Sequence, residues 1–358
     1  MDVMDHTTRE QRRTADERPL AGRIALVAGA TRGLGRAIAV ALGAAGATVY
    51  VTGRTTRAHT SEVGRPQETI EETGELVTAA GGTGIAVPTD HLDEERARAL
   101  FARIEADHGR LDILVNDLWG GEHLVAEHVF GKKSWETPLA DGLRMLDLGV
   151  RSHVITAGLA LPLLIRSDGP VHIEVTDGTA EFNERFRDNL YFDIAKTTPH
   201  RIAFALSEEL APFNGTALSV SPGFLRSEQM LSFFGVTEEN WREAVAQEPH
   251  FAIAESPHYL ARGLAALAAD PQRARWSGTS ASSAELASAY DLTDVDGSRP
   301  DSFAYFKDVV FGGRRGCRRT TDEVRGGGAA AARVGRSARP PRALTAGTGP
   351  PAPPIAGA

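Results

Sequence analysis

Short apolar runs alternate with longer amphipathic stretches along most of the chain, from Gly22 onward. Runs rich in Val, Ile, Leu and Ala predict strands, and these are RIALVAGA, TVYVTG, GIAVPTD, LDILVND, PVHIEVTDG and TALSVSPG, with ARWSGTSASSAELA as a further edge strand. Between them, stretches with apolar residues three or four positions apart predict helices. This alternation predicts an α/β fold, with helices on both faces of a doubly wound, mostly parallel, seven-stranded sheet.

The two ends of the chain lack this pattern. Residues 1–20 are polar and mixed in charge, and we expect a disordered leader there. Residues 312–358 consist mostly of Gly, Ala, Arg and Pro, which bury too little apolar surface to offset the entropy of ordering. We therefore expect one domain over 21–311 and a disordered tail over 312–358. The tail is either the product of a foreign reading frame or a functional basic segment.

Composition narrows the class of protein. The net charge is −8, although the tail alone holds nine arginines and two acids, so the body is acidic and nucleic acid is not the expected partner. No apolar run approaches the roughly 18 residues that span a membrane. Cys317 is the single cysteine, so no internal disulfide forms and we expect a cytoplasmic protein. The 11 histidines are scattered and predict no metal site.

Three glycines lie between the first predicted strand and the first helix. The segment ALVAGATRGLGRAIAVAL contains Gly29, Gly33 and Gly35. The first allows a tight turn, and the other two let the backbone approach a pyrophosphate and the helix pack on the sheet, while the helix N-terminus offers free N–H groups. This placement after a strand favours a dinucleotide site over a glycine-rich structural turn.

The spacing G-x-x-x-G-x-G resembles the short-chain dehydrogenase/reductase (SDR) superfamily, and the resemblance extends over about residues 21–280. LDILVND is similar to the family strand that ends in Asn-Asn-Ala-Gly, GIAVPTD to the strand whose aspartate lies beside the adenine, and SPGFLRSEQM to the Pro-Gly loop on the nicotinamide side. LDLGVRSH and YFDIAKTT resemble a branch related to dehydrogenase/reductase member 1. The resemblance implies a Rossmann-type fold. The implied cofactor-binding residues are Gly29, Thr31, Arg32, Gly33, Leu34, Gly35, Asp90, Asn116, Lys196, Pro222, Gly223 and Ser227.

The end of the second strand bears on which dinucleotide binds. Enzymes that use NAD usually place an acid there for the ribose 2′-OH, whereas a 2′-phosphate requires cations. Here the strand ends in TGRTTR, which has no acid. Arg54, together with Arg32 in the glycine loop, predicts NADP(H) as the preferred cofactor, with NAD(H) as the alternative. The other interpretation is that Arg32 and Arg54 are exposed to solvent and bind no phosphate.

The resemblance also implies a tyrosine as acid and base, with a lysine four residues later that favours the tyrosinate and holds the ribose. Lys196 is present, but Phe192 stands at the tyrosine position and Tyr191 is five residues from the lysine. Because each residue turns a helix by about 100°, Tyr191 points away from the direction of Phe192. Tyr191 is still a candidate catalytic residue if the first turn is irregular, and it packs as an ordinary aromatic if the turn is regular.

Two further catalytic positions depart from the family pattern. Thr176 and Asp177 stand where the family has Ser-Ser, so the serine's part falls to Asp177, Thr176 or Thr179. Asp147 stands where a helix usually supplies the asparagine of a water relay. The candidate catalytic set is therefore Tyr191, Lys196, Thr176 and Asp177.

Two hypotheses follow for function. The first is an NADP(H)-dependent oxidoreductase that acts on a small carbonyl or alcohol, and the second is a dinucleotide-binding protein without turnover. The family usually pairs through two long helices, here about 140–166 and 189–211, so we expect a homo-oligomer. The apolar side chains considered for that contact, which otherwise face the protein's own sheet, are Leu143, Leu146, Val150, Ala203, Leu206 and Leu210.

Overall fold

The computed structural model describes residues 18–129 and 131–311. The predicted tail, 312–358, and residues 1–17 of the predicted leader lie outside the described residues. The leader was predicted to reach residue 20, but Leu20 is buried in the core and its amide donates to the Ala45 carbonyl at 2.8 Å. Leu20 is therefore part of the folded core.

Seven parallel strands form one sheet, in the order β3-β2-β1-β4-β5-β6-β7. The strands are β1 Ile24–Ala28, β2 Thr48–Gly53, β3 Thr83–Pro88, β4 Ile113–Asn116, β5 Val171–Val175, β6 Thr216–Ser221 and β7 Ser280–Ser282. The predicted α/β fold is confirmed, and the sheet is parallel throughout the described residues. The chain changes direction across the sheet between β1 and β4, which places a crevice at the carboxyl ends of these two strands.

Helices connect the consecutive strands, as parallel pairing requires. They are α1 Gly33–Ala44, α2 Ile70–Ala79, α3 Glu94–His108, α4 Glu122–His128, α5 Leu139–Leu146, α6 Ser152–Leu164, α7 Leu190–Leu210, α8 Glu228–Phe234, α9 Pro257–Ala269, α10 Ser283–Ala289 and α11 Ser302–Tyr305. A π-helical turn, Asp147–Arg151, joins α5 to α6. The single helix predicted there is thus two helices, and α4 and α8 were not predicted.

The described residues fall into two compact units. The larger ends at Phe303 and contains the whole sheet. The second begins at Ala304, and its described part contains a π-helical turn, Phe306–Val310. The domain predicted over 21–311 extends past the end of the larger unit.

Alternate residues of the strands feed two apolar cores, one on each face of the sheet. On β1, Ala25 and Val27 pack with α1 and α9, whereas Ile24 and Leu26 pack with α3, α6 and α7. Complete burial of one Leu, Ile or Val side chain contributes about 1.5–3 kcal/mol, so these two layers are what hold the crossovers against the sheet.

Of the apolar side chains predicted for a subunit contact, some are buried in the structure and others are not. Ala203, Leu206 and Leu210 are buried, and the two leucines belong to the core between α7 and the sheet. Of the two alternatives for these side chains, packing within the protein itself is the one that the structure supports. Leu143 is exposed, as are Val154 on α6 and Phe204 on α7. No helix among residues 18–129 and 131–311 is long and apolar enough to cross a membrane.

Candidate active site

A deep cavity opens at the carboxyl ends of the strands, where the order of the sheet reverses. It is lined by the loops that follow β1, β2, β3, β4, β5 and β6 and by one face of α7. Of the residues predicted from sequence, the lining contains Gly29, Thr31, Arg32, Gly33, Leu34, Arg54, Asp90, Thr176, Asp177, Lys196, Pro222 and Ser227. The loops thus bring together residues from Gly29 to Ser227 in one site.

Two of the three glycines in the loop, Gly29 and Gly35, have no room for a side chain. Gly29 has a φ of +91°, and a Cβ there would lie 2.1 Å from the backbone oxygen of Asp117. A Cβ on Gly35 would lie 2.3 Å from the Gly29 oxygen, so this glycine lets α1 pack onto the end of β1. Gly33 begins α1 and lines the cavity. This cradle fits the pyrophosphate of a dinucleotide, since bare backbone and a helix N-terminus are what such a group requires.

An acid from the protein itself contacts this N-terminus. The Gly33 amide donates to Glu228 Oε2 at 2.9 Å, and Glu228 is the first residue of α8. Ser227 caps α8 by accepting from the Met230 amide at 3.4 Å, which fixes the direction of its first turn. A carboxylate therefore lies where the fold offers an anion site.

Arg32 connects three segments across the mouth of the cavity. Its guanidinium donates to Glu122 Oε1 at 2.7 Å and to Gln229 Oε1 at 3.1 Å, and it lies 3.6 Å from Glu68. These two hydrogen-bond acceptors and the ion-pair partner Glu68 come from α4, α8 and the loop after β2. Arg32 is thus held by protein groups on both sides of the cleft.

Arg54 directly follows β2 and forms an ion pair with Glu62. Arg65, which was not predicted, also lines this end of the cavity and pairs with Glu68. Asp90 accepts from the Leu92 amide at 3.0 Å, which orders the turn after β3. The cavity end near β2 and β3 therefore carries two guanidinium groups beside the backbone of Gly53.

Asn189 is the N-cap of α7 and so fixes where the helix begins. The Asn189 side chain accepts from the Phe192 amide at 3.0 Å, so Tyr191 is the second residue of a regular helix. A Cβ on Gly142 would lie 2.6 Å from the Tyr191 ring, which therefore packs directly on α5. Phe192 is 3% exposed and points to the same side as Lys196. Among the described residues that line the cavity, Lys196 is present and Tyr191 is not.

Lys196 lies between two aromatic rings. Its Nζ is 3.8 Å from the Trp119 ring centroid and 5.4 Å from that of Phe192. Trp119 fits there because a Cβ on Gly149 would lie 2.9 Å and one on Gly121 2.8 Å from its indole. Burial lowers the pKa of Lys196, and the negative charge of Asp177 opposes this shift.

Thr176 and Asp177 follow β5 and have different partners. The Thr176 hydroxyl donates to the Lys196 carbonyl at 2.6 Å, so its proton is bound to the backbone of α7. Asp177 Oδ2 accepts from Arg187 Nη2 at 2.8 Å, and both side chains are almost completely buried. Arg187 was not identified from the sequence.

Asn116 lies beneath the cavity. Its Nδ2 donates to the His153 carbonyl at 3.2 Å and to Glu174 Oε1 at 3.0 Å. Glu174 also contacts His153 Nδ1 at 2.5 Å and His172 Nε2 at 2.7 Å. Burial by itself would raise the pKa of Glu174, but the two histidines outweigh it and lower that pKa to about 2. This network joins β4, β5 and α6 below the site.

A family comparison identifies the class of protein that this cavity belongs to. The family model described as short chain dehydrogenase matches residues 23–234. The chain belongs to the short-chain dehydrogenase family. The sequence-based prediction of an SDR protein is therefore confirmed.

Two curated SDR proteins are similar over most of their length. Dehydrogenase/reductase SDR family member 1 of Mus musculus is 29% identical over 282 residues, which cover 78% of this chain and 85% of that protein. The Homo sapiens protein of the same name is 29% identical over 300 residues, covering 82% and 89%. The chain is thus related to dehydrogenase/reductase SDR family member 1.

A solved short chain dehydrogenase from Mycobacterium thermoresistibile shares the fold. It superposes with a TM-score of 0.63 at 18% identity, over 79% of this chain and 95% of that one. At this identity the likeness concerns the architecture alone.

The resemblance to SDR sequences predicts that three catalytic positions of this chain depart from the family pattern. Phe192, Asp177 and Asp147 stand at the positions that the resemblance assigns to tyrosine, serine and asparagine. Asp147 is the first residue of the π-helical turn, and its side chain is 42% exposed, with Arg151 at 3.9 Å. It does not line the cavity formed by the described residues.

Several lining residues were missed by sequence reasoning. They are Asp117, Glu122, Arg65 and the Gln229 side chain. Asp117 follows Asn116, where the family has a second asparagine, so the motif carried a signal for it. Burial raises the pKa of Asp117 to about 7. Glu122 and Gln229 lie in short helices that the periodicity does not predict. Gln229 stands in the SPGFLRSEQM segment, but the resemblance assigns it no role.

Two residues of the Pro-Gly loop differ in position. Pro222 lines the cavity, whereas Gly223 lies behind it. A Cβ on Gly223 would lie 2.2 Å from Ser302 Oγ and 2.7 Å from Glu255 Oε2. Gly223 therefore lets the loop pack against a buried carboxyl group.

Proposed function

We propose that this SDR protein binds NADP(H) and interconverts a carbonyl compound and an alcohol by hydride transfer. The observation that carries the proposal is that the glycine cradle, the arginines after β1 and β2, and Lys196 line one continuous cavity. When bound, the nicotinamide would supply or accept the hydride. The protein's part is to hold both reactants and to handle the proton of the substrate oxygen.

The proposed cofactor residues divide along the cavity. Gly29 and Gly33 would hold the pyrophosphate, with Gly35 supporting the turn by letting α1 pack on β1, and Lys196 would hold the ribose next to the nicotinamide. Asp90 would lie beside the adenine, as in the family. Thr31, Leu34, Pro222 and Ser227 supply walls of the same cavity. Asn116 and Gly223 do not line the cavity among the described residues. They would contribute indirectly, by holding in place the neighbouring loops that do.

The preference for NADP(H) over NAD(H) rests on charge. Arg54 follows β2 directly, and no acid occupies the end of that strand. A 2′-phosphate placed there would receive charge-assisted hydrogen bonds from Arg54, in competition with Glu62. Arg32 supports the same end of the site through its contact with the Glu68 segment.

One observation favours a second candidate function, dinucleotide binding without turnover. Phe192 has no proton to give, and the Tyr191 ring lies against Gly142 rather than on the cavity wall. A general acid must come within about 2.6–3.2 Å of the atom that it serves, directly or through one water. On this candidate, Lys196 would bind the cofactor only.

A homo-oligomer and a cytoplasmic location complete the proposal. The exposed apolar side chains Val154, Ile194 and Phe204 on α6 and α7 support self-association through these helices. The single cysteine suits a reducing compartment. Light scattering of the intact chain measures the oligomeric state.

The function is tested by turnover and binding in parallel. NADPH oxidation is followed with a panel of ketones and aldehydes, and NADP⁺ reduction with the matching alcohols, while cofactor affinity is measured by calorimetry. Binding with turnover supports the oxidoreductase, binding without turnover supports the second candidate, and absence of binding contradicts both.

A further inference from the structure

The cavity end near Lys196 and Pro222 has an unusual balance of hydrogen-bonding groups. Three of the polar side chains that line it, Ser152, Thr176 and His153, use their donors within the protein. Ser152 donates to the Leu148 carbonyl at 2.6 Å, and Thr176 donates to the Lys196 carbonyl at 2.6 Å. His153 contacts the Leu118 carbonyl at 2.8 Å and Glu174 on its other nitrogen. None of these groups remains free to donate to a carbonyl substrate.

Asp177 differs from them. One carboxylate oxygen, Oδ2, is bound by Arg187 at 2.8 Å, whereas Oδ1 makes no hydrogen bond with any described residue. The residue lines the cavity. An ionised carboxylate only accepts hydrogen bonds, so a ligand next to Asp177 gains most if it carries an O–H.

Arg187 holds this carboxylate in one orientation. Besides Oδ2, it binds the Asp177 carbonyl at 2.9 Å, and its guanidinium lies 5.1 Å from the Phe182 ring centroid and 5.6 Å from that of Phe192. The Arg187 amide in turn donates to Asp193 Oδ1 at 2.8 Å. Because the guanidinium is fixed by rings, backbone and side chains, Asp177 is directed by a rigid partner.

We infer that Asp177 is a specificity-determining residue and that it makes this end of the cavity select a secondary alcohol over the corresponding ketone. Arg187 is its positioning residue. The inference rests on the proposed oxidoreductase function and names the form in which the substrate binds more tightly. The ammonium of Lys196 is one competing donor, but it lies on the face of Trp119. The serine that the family has at this position would donate as well as accept, so its selectivity would be weaker.

The test measures binding, not turnover. The probes are two matched pairs, cyclohexanol with cyclohexanone and 1-phenylethanol with acetophenone. They are titrated into the full chain without cofactor, and tryptophan fluorescence is followed because Trp119 lines the cavity; Trp119→Phe assigns the signal. We expect at least one alcohol to bind about tenfold or more tightly than its ketone, the difference expected for one hydrogen bond to a charged group.

Three variants separate this role from a purely structural one. Asp177→Asn and Asp177→Ser should bring the alcohol-to-ketone affinity ratio close to one, since both side chains can donate to a ketone. Arg187→Lys, which keeps a cation, should retain most of the ratio. Glu209→Gln, which removes one exposed negative charge on α7, should leave it unchanged.

The outcomes are distinct from those that test the oxidoreductase. NADPH affinity and the thermal midpoint of each variant show whether the fold and the cofactor site survive. An affinity ratio near one in the wild type, the absence of binding by both alcohols, or a ratio that Asp177→Asn leaves intact would overturn the inference. The NADP(H) proposal would stand in each case if the cofactor still binds and is turned over.

Discussion

The carboxylate of Glu228 accepts a hydrogen bond from the Gly33 amide at 2.9 Å, so the N-terminus of α1 is already in contact with an anion of the protein. A cofactor phosphate directed to this amide must displace that carboxylate. Glu228 comes from the helix after the Pro-Gly loop, and neighbouring Gln229 contacts Arg32. Binding of a dinucleotide phosphate at this amide would therefore require the Glu228 side chain to move away.

This relationship predicts a gain of affinity in Glu228→Gln. The neutral amide competes less well for the Gly33 N–H and does not repel the phosphates. A carboxylate at a helix N-terminus contributes about 0.3–2 kcal/mol, so NADPH should bind roughly 2- to 30-fold more tightly to the variant. Calorimetric titration measures this, with Glu209→Gln as the control for loss of one exposed charge. Unchanged or weaker binding in Glu228→Gln alone would show that the contact does not oppose the cofactor.

Arg54 should determine the choice between the two dinucleotides. In Arg54→Ala the ratio of NADPH to NADH affinity should fall about tenfold or more, because one charge-assisted bond to the 2′-phosphate is lost. The measurement is made at low salt, where screening is weakest. Arg57→Ala is the matched control, since Arg57 is 59% exposed and pairs with Glu75. Equal affinities of the wild type for NADPH and NADH would refute the preference.

The order of Tyr191 and Phe192 should limit the rate. Exchange of the two, Tyr191→Phe with Phe192→Tyr, places a hydroxyl on the side of α7 that faces Lys196 and Trp119, and it rebuilds the family spacing. Side-chain volume hardly changes, so stability should change little. Turnover should rise by the scale of a gained general acid, roughly 10²–10⁴-fold.

The single variant Tyr191→Phe is the control for that exchange. Because the Tyr191 ring packs on Gly142, loss of its hydroxyl should leave activity nearly unchanged. If Tyr191→Phe abolished turnover and the exchange failed to improve it, the hydroxyl of Tyr191 would have to reach the substrate, contrary to the position seen here.

Glu255 predicts how stability depends on pH. Burial raises the pKa of this carboxyl group from 4.5 to about 8, while Ser283 donates to it at 2.6 Å. The unfolded chain releases this proton near pH 4.5 and the folded chain retains it up to about pH 8. Its contribution to the free energy of unfolding is therefore complete below pH 4.5, falls as pH rises between these two values, and is constant above them.

In Glu255→Gln the free energy of unfolding should decrease less as pH rises. Chemical unfolding at several pH values from about 5 to 8 should show a smaller decrease in the variant, by a few kcal/mol at most, since each pKa unit corresponds to about 1.4 kcal/mol. The comparison concerns the slope, because the amide also changes packing beside Gly223 at every pH. Parallel curves for the two proteins would mean that Glu255 does not titrate in this way.

The glycine loop, the strands and the order of the elements could be predicted because each depends on a local pattern. The direction of α7 was harder, since a one-residue shift decides whether Tyr191 or Phe192 faces Lys196. Asn189 decides it by capping the helix, which a sequence pattern leaves open by a residue or two. The apolar face of α7 was ambiguous for a similar reason, because Leu206 and Leu210 suit either a core or an interface.

The contacts that shape the site join distant parts of the chain. Arg32 meets Glu122 and Gln229, and Gly33 meets Glu228, through loops and short helices that carry no periodic signal. Asp177 could be located by its motif, but its partner Arg187 lies in an irregular segment before α7. Such pairs depend on how loops close over the sheet, and only the folded chain reveals them.

Transfer of a labelled hydride tests the central claim most directly. Secondary alcohols that carry deuterium on the carbinol carbon are incubated with the wild-type chain and NADP⁺, and the recovered NADPH is analysed by mass spectrometry. The account predicts that deuterium from at least one alcohol appears in the NADPH, at a rate that the exchange of Tyr191 and Phe192 increases. If NADP⁺ binds but no deuterium reaches it, before or after the exchange, then the cavity binds a dinucleotide without acting as an oxidoreductase.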